Sequence, residues 1–219
     1  MTTSPPAAAP AVIAEGRSAR KRRQILEAAT TVFLQRGYLG TSMDEIATLA
    51  GVSKKTVYSH FSDKRDLFVQ IVLGSVDAAA DPTFLEVVDL ETSADVEADL
   101  RDVARRMLAR VIQPKMMRLR RLVISEAERF PELGRTFYQR GPGRTHDALA
   151  QAFDRLAQRG ILQIDDPRLA AEHFSWLIMS IPVNRAMLLG EGGPLTAADL
   201  DRYAHTGVAI FLGAFGRRS

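Results

Sequence analysis

The stretch Thr41-Ser42-Met43-Asp44-Glu45-Ile46-Ala47-Thr48-Leu49-Ala50-Gly51-Val52-Ser53-Lys54-Lys55-Thr56-Val57-Tyr58-Ser59-His60-Phe61 decides the reading of this chain. Ser42 and Glu45 are spaced as a capping box, which predicts a short helix running to about Ala50. Gly51-Val52-Ser53 reads as a turn, because glycine accepts left-handed backbone that other residues resist. Ser53 is placed to cap a second helix from Lys54 to about His60. Two short helices joined at a glycine turn make a helix-turn-helix. Ile46, Ala47, Val52, Val57 and Phe61 are spaced to form its small core, and Ala47 is small enough for the two helices to pack closely.

Lys54, Lys55, Thr56, Tyr58, Ser59 and His60 then remain outward on the second helix. That face is polar, cationic and aromatic, as a groove-reading helix requires. The first residues of such a helix enter the groove deepest, so Lys54 and Lys55 are the base-edge candidates, with ammonium groups suited to guanine O6 and N7. Thr56, Tyr58 and His60 suit phosphate oxygens, which set register without reading sequence. Helix N-termini also attract phosphate. Thr41 and Ser42 at one such end and Lys64 at another are expected to clamp the backbone, with Ser53 at the start of the second helix completing the candidate DNA-binding set.

Upstream, Ile25, Ala28, Ala29, Val32 and Phe33 fall on one stripe of a helix over about 18–36, with Gly37 as its stop. Its start is the run Arg20-Lys21-Arg22-Arg23, which reads either as a soluble helix start or as a basic arm along DNA. Residues 17–65 hold ten Lys or Arg against four acids, whereas 66–219 hold 19 against 21. A basic head on a near-neutral body suits a polyanionic partner. Before the head, residues 1–16 are rich in Ala, Pro and Thr and are expected to be a disordered tail.

Downstream, Ser62 is placed to cap a connecting helix to about Val76, and the acidic stretch near 77–94 reads as a loop or broken helix. Further helices are predicted over about 95–112, 115–129, 131–159, 167–189 and 196–215. The third of these should kink or break at Gly141-Pro142-Gly143. The expected fold is all-α with about nine helices. A three-helix DNA-binding domain (17–65) precedes a helical bundle (66–219) for ligand binding and dimerisation. The last two helices carry apolar residues over too wide an arc for a monomer surface. Leu169, Phe174, Leu177, Ile181, Val208, Phe211 and Phe215 are the core or interface candidates there.

In combination, Thr41 to Ala47, Gly51-Val52-Ser53, Thr56 to Phe61, Lys64-Arg65-Asp66-Leu67, and the upstream Ile25 to Ala29 and Phe33 to Tyr38 resemble the TetR/AcrR family of regulators. Lys55 departs from the small residue many members carry at that place. Phe130-Pro131-Glu132-Leu133, Phe137-Tyr138, Gly141-Pro142 and Phe174-Ser175-Trp176 are similar to its AefR-like subgroup. The resemblance implies an all-helical homodimer whose body binds a small effector and whose last two helices pair with those of its partner. An apolar or amphipathic effector is expected, with Met107, Phe130, Phe137, His173, Trp176 and Met179 as candidate contacts.

The reading is a transcriptional repressor, released from a palindromic double-stranded operator by that effector. An activator, or an all-α binding module without DNA activity, stays open as the alternative. No cofactor, no metal, no catalysis and no membrane association are expected. The chain has no cysteine, which rules out disulfides and thiolate chemistry and fits a reducing cytoplasm. Glu126 and Glu128 are two apart and do not share a helix face, which argues against a di-metal bundle site.

Overall fold

The computed structural model describes residues 16–79, 90, 93–190 and 195–217, so the tail expected at 1–16, apart from Gly16, and most of the stretch 77–94 lie outside the described residues. The chain divides into two units, one through Leu67 and one from Phe68 onward.

In the first unit, α1 (Arg17–Gly40) buries Ile25, Ala28, Ala29, Val32 and Phe33, the stripe that its periodicity predicts. Gly37 leaves helical geometry at φ 69, ψ 177, yet helical turns resume as far as Gly40. The glycine is a kink near the end rather than the end itself. α2 (Met43–Ala50) starts where the Ser42 hydroxyl accepts the Glu45 amide at 3.1 Å. Only half of the capping box forms, because the Glu45 carboxylate turns to Arg36 at 2.6 Å.

Gly51, at φ 66 and ψ 33, closes α2 in left-handed backbone, and its amide bonds the Ala47 and Thr48 carbonyls. That conformation costs other residues roughly 1–2 kcal/mol. α3 (Lys54–His60) starts at Ser53, whose hydroxyl accepts the Thr56 amide at 3.1 Å. Met43, Ile46, Ala47, Val57 and Phe61 are buried, while Val52 is half-buried. α4 (Lys64–Ala79) is capped by Asp63 rather than Ser62: the Asp63 carboxylate accepts the Asp66 amide at 2.8 Å, and Ser62 instead donates to Asp66. A carboxylate is the stronger acceptor for an exposed helix amide.

The second unit contains α5 (Val96–Val111), α6 (Pro114–Glu126), α7 (Pro131–Tyr138), α8 (Arg144–Gln158), α9 (Pro167–Leu189) and α10 (Ala197–Phe215). Asp95, Asp166 and Thr196 cap α5, α9 and α10, and Thr196 with Asp199 forms a complete capping box. α6 stops at Glu126, short of the predicted end, and a turn leads to Phe130. α7 and α8 do not break at Gly141-Pro142-Gly143. A π-helical turn, Gln139–Gly143, joins them into one continuous helix, so nine helical stretches stand among the described residues. Proline lacks an amide and crowds the preceding turn, and the wider π turn accommodates both defects.

The body core draws Leu100, Ala104 and Leu108 from α5, Phe153 from α8, Phe174 from α9 and Phe211 from α10. Phe153, Phe174 and Phe211 pack mutually, with centroids 4.9–5.4 Å apart. Each such ring is worth about 1.5–3 kcal/mol on burial. Gly207 sets the approach of α10 to α9, since a Cβ there would lie 2.8 Å from Ile178 Cγ1. Against the π turn lies α4, with Arg140 paired to Asp77 at 3.0 Å. No helix among the described residues is long and apolar enough to cross a membrane.

Candidate nucleic-acid interface

The helix-turn-helix displays α3 to solvent on one side. Lys54, Lys55, Tyr58 and Ser59 are exposed, and Thr56 and His60 are half-buried. Lys54 and Asp44 form an ion pair, with the ammonium 2.8 and 3.0 Å from the two carboxylate oxygens. That hydrogen bond is the main reason the Lys54 pKa is raised. Lys55 has no ion pair among the described residues. Thr56 is drawn into the cap, its hydroxyl 2.8 Å from Ser53 Oγ. Ser42 and Ser53 are exposed caps of consecutive helices.

Two members of the expected clamp are turned inward. Thr41 is buried, and its hydroxyl donates to the Gly37 carbonyl at 2.7 Å. Lys64 donates to the Thr41 carbonyl at 2.9 Å and sits over the Tyr38 ring at 4.6 Å. Lys64 therefore braces the kinked end of α1. The sequence signal for this brace is faint: an aromatic residue follows a kinking glycine, and the lysine is 26 positions away from that aromatic. Sequence reasoning also misses Arg36–Glu45 and Lys54–Asp44, since each pairs residues from different helices.

The six candidate effector contacts do not gather at one place. Met107 is buried in the body core and Met179 packs against that core. Phe137 is buried with the Arg120 guanidinium 6.0 Å from its ring centre, and Phe130 meets Phe68 at 6.2 Å. His173 and Trp176 are exposed on α9, with Trp176 at 56%. They share that surface with Leu169, Leu177, Ile181 and Leu188. A shallow depression of about 370 Å³ lies on the same helix, lined by Ser180, Ile181, Asn184, Arg185, Leu188 and Leu189.

The family model for bacterial regulatory proteins of the tetR family matches residues 25–71, and that for the C-terminal domain of AefR-like transcriptional repressors matches residues 98–217. The chain belongs to the TetR family. A structure from Mesorhizobium loti MAFF303099, assigned to TetR-family transcriptional regulators, is 41% identical with a TM-score of 0.84, over 93% of this chain and all of that one. The flavonoid-responsive regulator FrrA is 35% identical with a TM-score of 0.75, over 91% and 99% of the two chains. The HTH-type transcriptional activator FasR of Mycolicibacterium smegmatis (strain ATCC 700084 / mc(2)155) is 49% identical over 57 residues, a span of only 26% of either chain.

This TetR-family member is thus a DNA-binding transcriptional regulator, with its helix-turn-helix inside the matched segment 25–71.

Proposed function

We propose that this TetR-family regulator is a homodimeric repressor that leaves a palindromic operator when a small effector binds its body. The observation that carries the reading is the apolar face of α9 and α10. Leu169, Trp176, Leu177, Ile181, Leu188 and Ile210 are exposed by 38–81%. Large apolar side chains exposed in this number on two helices are costly in water and mark an interface. Its occupant is a second copy, because a two-fold pair of heads suits two half-sites in successive major grooves. His173 and Trp176 lie on this face, so they are assigned to the dimer rather than to the effector. Lys55 and Tyr58 carry direct DNA contact, and Lys54 joins them once it releases Asp44.

For the effector, an apolar or amphipathic aromatic molecule fits best. FrrA is flavonoid-responsive by name and is similar over nearly its whole length. Arg120 and Phe137 offer a cation and a ring on neighbouring helices of the body. The Arg120 Nε is buried without a hydrogen-bond partner among the described residues, and burial holds the guanidinium pKa below its usual value. Regulation requires unequal affinity of the effector for two states. The Arg140–Asp77 pair ties the body end of α4 to the π turn, and α4 begins directly after the helix-turn-helix. The likeness to the activator FasR is confined to 57 residues and bears on binding rather than on its consequence.

The test is a binding-site selection on genomic DNA, followed by sedimentation and a flavonoid panel against the recovered duplex. A dimer on a palindrome, released by a panel member, is the expected result. A monomer at micromolar concentration, or a single asymmetric half-site, would sink the proposal.

A further inference from the structure

The outward side of α9 is organised as a single row. Trp176, Ser180, Asn184 and Leu188 stand four residues apart, and Leu169 and His173 extend the row towards the start of the helix. All are exposed except Ser180, which is half-buried. From His173 to Asn184 the helix holds no Asp, Glu, Lys or Arg, although a helix that keeps one face in water normally carries charge there. Rows with a spacing of four incline to the helix axis, and two of them interdigitate when their helices cross at about −50°. The row therefore fits a crossing helix that carries the same row.

The row is also complementary to itself. Ser180 is its smallest side chain and stands midway between Trp176 and Asn184. An antiparallel crossing with its two-fold at Ser180 sets position 176 of one copy against position 184 of the other, twice over. At 176 stands a large ring, 56% exposed. At Asn184 opens the depression of about 370 Å³, with Ile181, Arg185 and Leu188 in its walls. Knob and hole thus lie one helical turn to either side of the same point. Their chemistry also matches. A buried indole N–H needs an acceptor. Asn184 donates its Nδ2 to the Ser180 carbonyl at 2.7 Å, which leaves its Oδ1 to accept. Arg185 has no ion pair among the described residues, and a guanidinium is attracted to an indole face. We infer that the partner's Trp176 fills this depression, and that the contact selects which chains pair. This rests on the dimer reading and goes beyond it: a chain of the same fold that lacks the ring, or fills the hole, is refused.

Trp176 is the only tryptophan of the chain, so the emission of the full-length protein reports this contact alone. In the wild-type dimer the indole should emit at short wavelength and resist quenching by iodide. In the variant Ile181→Glu with Leu188→Glu, the monomer reference, it should emit at long wavelength and quench freely. Trp176→Ala and Asn184→Trp, which empty and fill the hole, should each weaken dimerisation in sedimentation by at least about tenfold, as loss of a central aromatic anchor does. Mixed in equal amounts, the two variants should dimerise more tightly than either does alone. A mixed pair sets alanine against the added ring at one contact and keeps the native ring and asparagine at the other. A mixture no tighter than the stronger variant overturns the inference. So does a wild-type dimer whose indole quenches as readily as in the monomer reference, and in that case the dimer reading stands. A wild-type chain that is monomeric at micromolar concentration removes both.

Discussion

Lys54 Nζ lies 2.8 Å from Asp44 Oδ1 and 3.0 Å from Oδ2, so the first cation of the recognition helix is held by the helix before it. On the proposal that Lys54 reaches DNA, binding opens this pair or shares the ammonium with a base edge. Asp44→Asn should free the ammonium. Affinity for every duplex is expected to rise, and the salt plot to steepen by about 0.9. Salt titrations of the two proteins on operator and scrambled DNA check it. An unchanged slope would show that Lys54 never meets DNA.

Lys64 braces the end of α1 rather than facing outward. Lys64→Met should therefore lower stability by about 1 kcal/mol, the typical size of a hydrogen bond removed from a partly buried site. Its salt slope on DNA should hardly move. Urea denaturation paired with the same titration separates the two effects, and a slope lower by a full unit would restore Lys64 to the phosphate clamp.

The close approach of Gly207 to Ile178 predicts a size limit. Gly207→Ala places a methyl 2.8 Å from Ile178 Cγ1 and should destabilise the body by about 1–3 kcal/mol. Combined with Ile178→Ala, which removes that Cγ1, the loss should be smaller than the sum of the two single losses. Full additivity of the two substitutions in chemical denaturation would mean that they do not meet.

Ile181 and Leu188 are 55% and 81% exposed on α9. Ile181→Glu with Leu188→Glu should split the dimer while leaving the protomer folded, because neither side chain belongs to the body core. Sedimentation at micromolar concentration reads the outcome, and operator affinity should fall by at least about tenfold, the equivalent of 1.4 kcal/mol. A surviving dimer would place the interface elsewhere.

His146 is buried on α8, its Nδ1 lacks a hydrogen-bond partner among the described residues, and Glu172 stands 4.0 Å away. Burial chiefly, with Arg168 nearby, holds its pKa below the usual 6.5, outweighing Glu172 and Asp147. The folded state therefore prefers the neutral ring. As pH falls through 6.5 the unfolded chain takes up the proton first, so stability is lost from about that pH downward. Relative to His146→Leu, the wild-type chain should lose stability between neutral pH and the carboxylate range. Parallel stability curves for the two proteins in that window would refute the assignment.

The head was legible in the sequence because its determinants are short-range. A cap lies three residues from the amide it binds, a left-handed turn needs its glycine on the spot, and a buried stripe repeats every 3.6 residues. Ser42, Gly51, Ser53, Asp166 and Thr196 declare their helix ends locally, and α2, α3, α9 and α10 follow. Gly141-Pro142-Gly143 announced a defect by the same local chemistry. Whether the chain breaks there or widens into a π turn was decided by the helices continuing on both sides.

Only the tertiary structure decided which polar groups stay free. Lys64 and Lys54 look alike in sequence, yet one reaches the Thr41 carbonyl and the other Asp44, through residues that folding brings from 23 and 10 positions away. His173, Ser175 and Trp176 are neighbours in the chain, but helical geometry sends Ser175 into the core and the other two to the surface. Periodicity marks an apolar arc without saying what will cover it. Burial depends on the approach of α5, α8 and α10 to α9, and that approach is a property of the packed body rather than of any one segment.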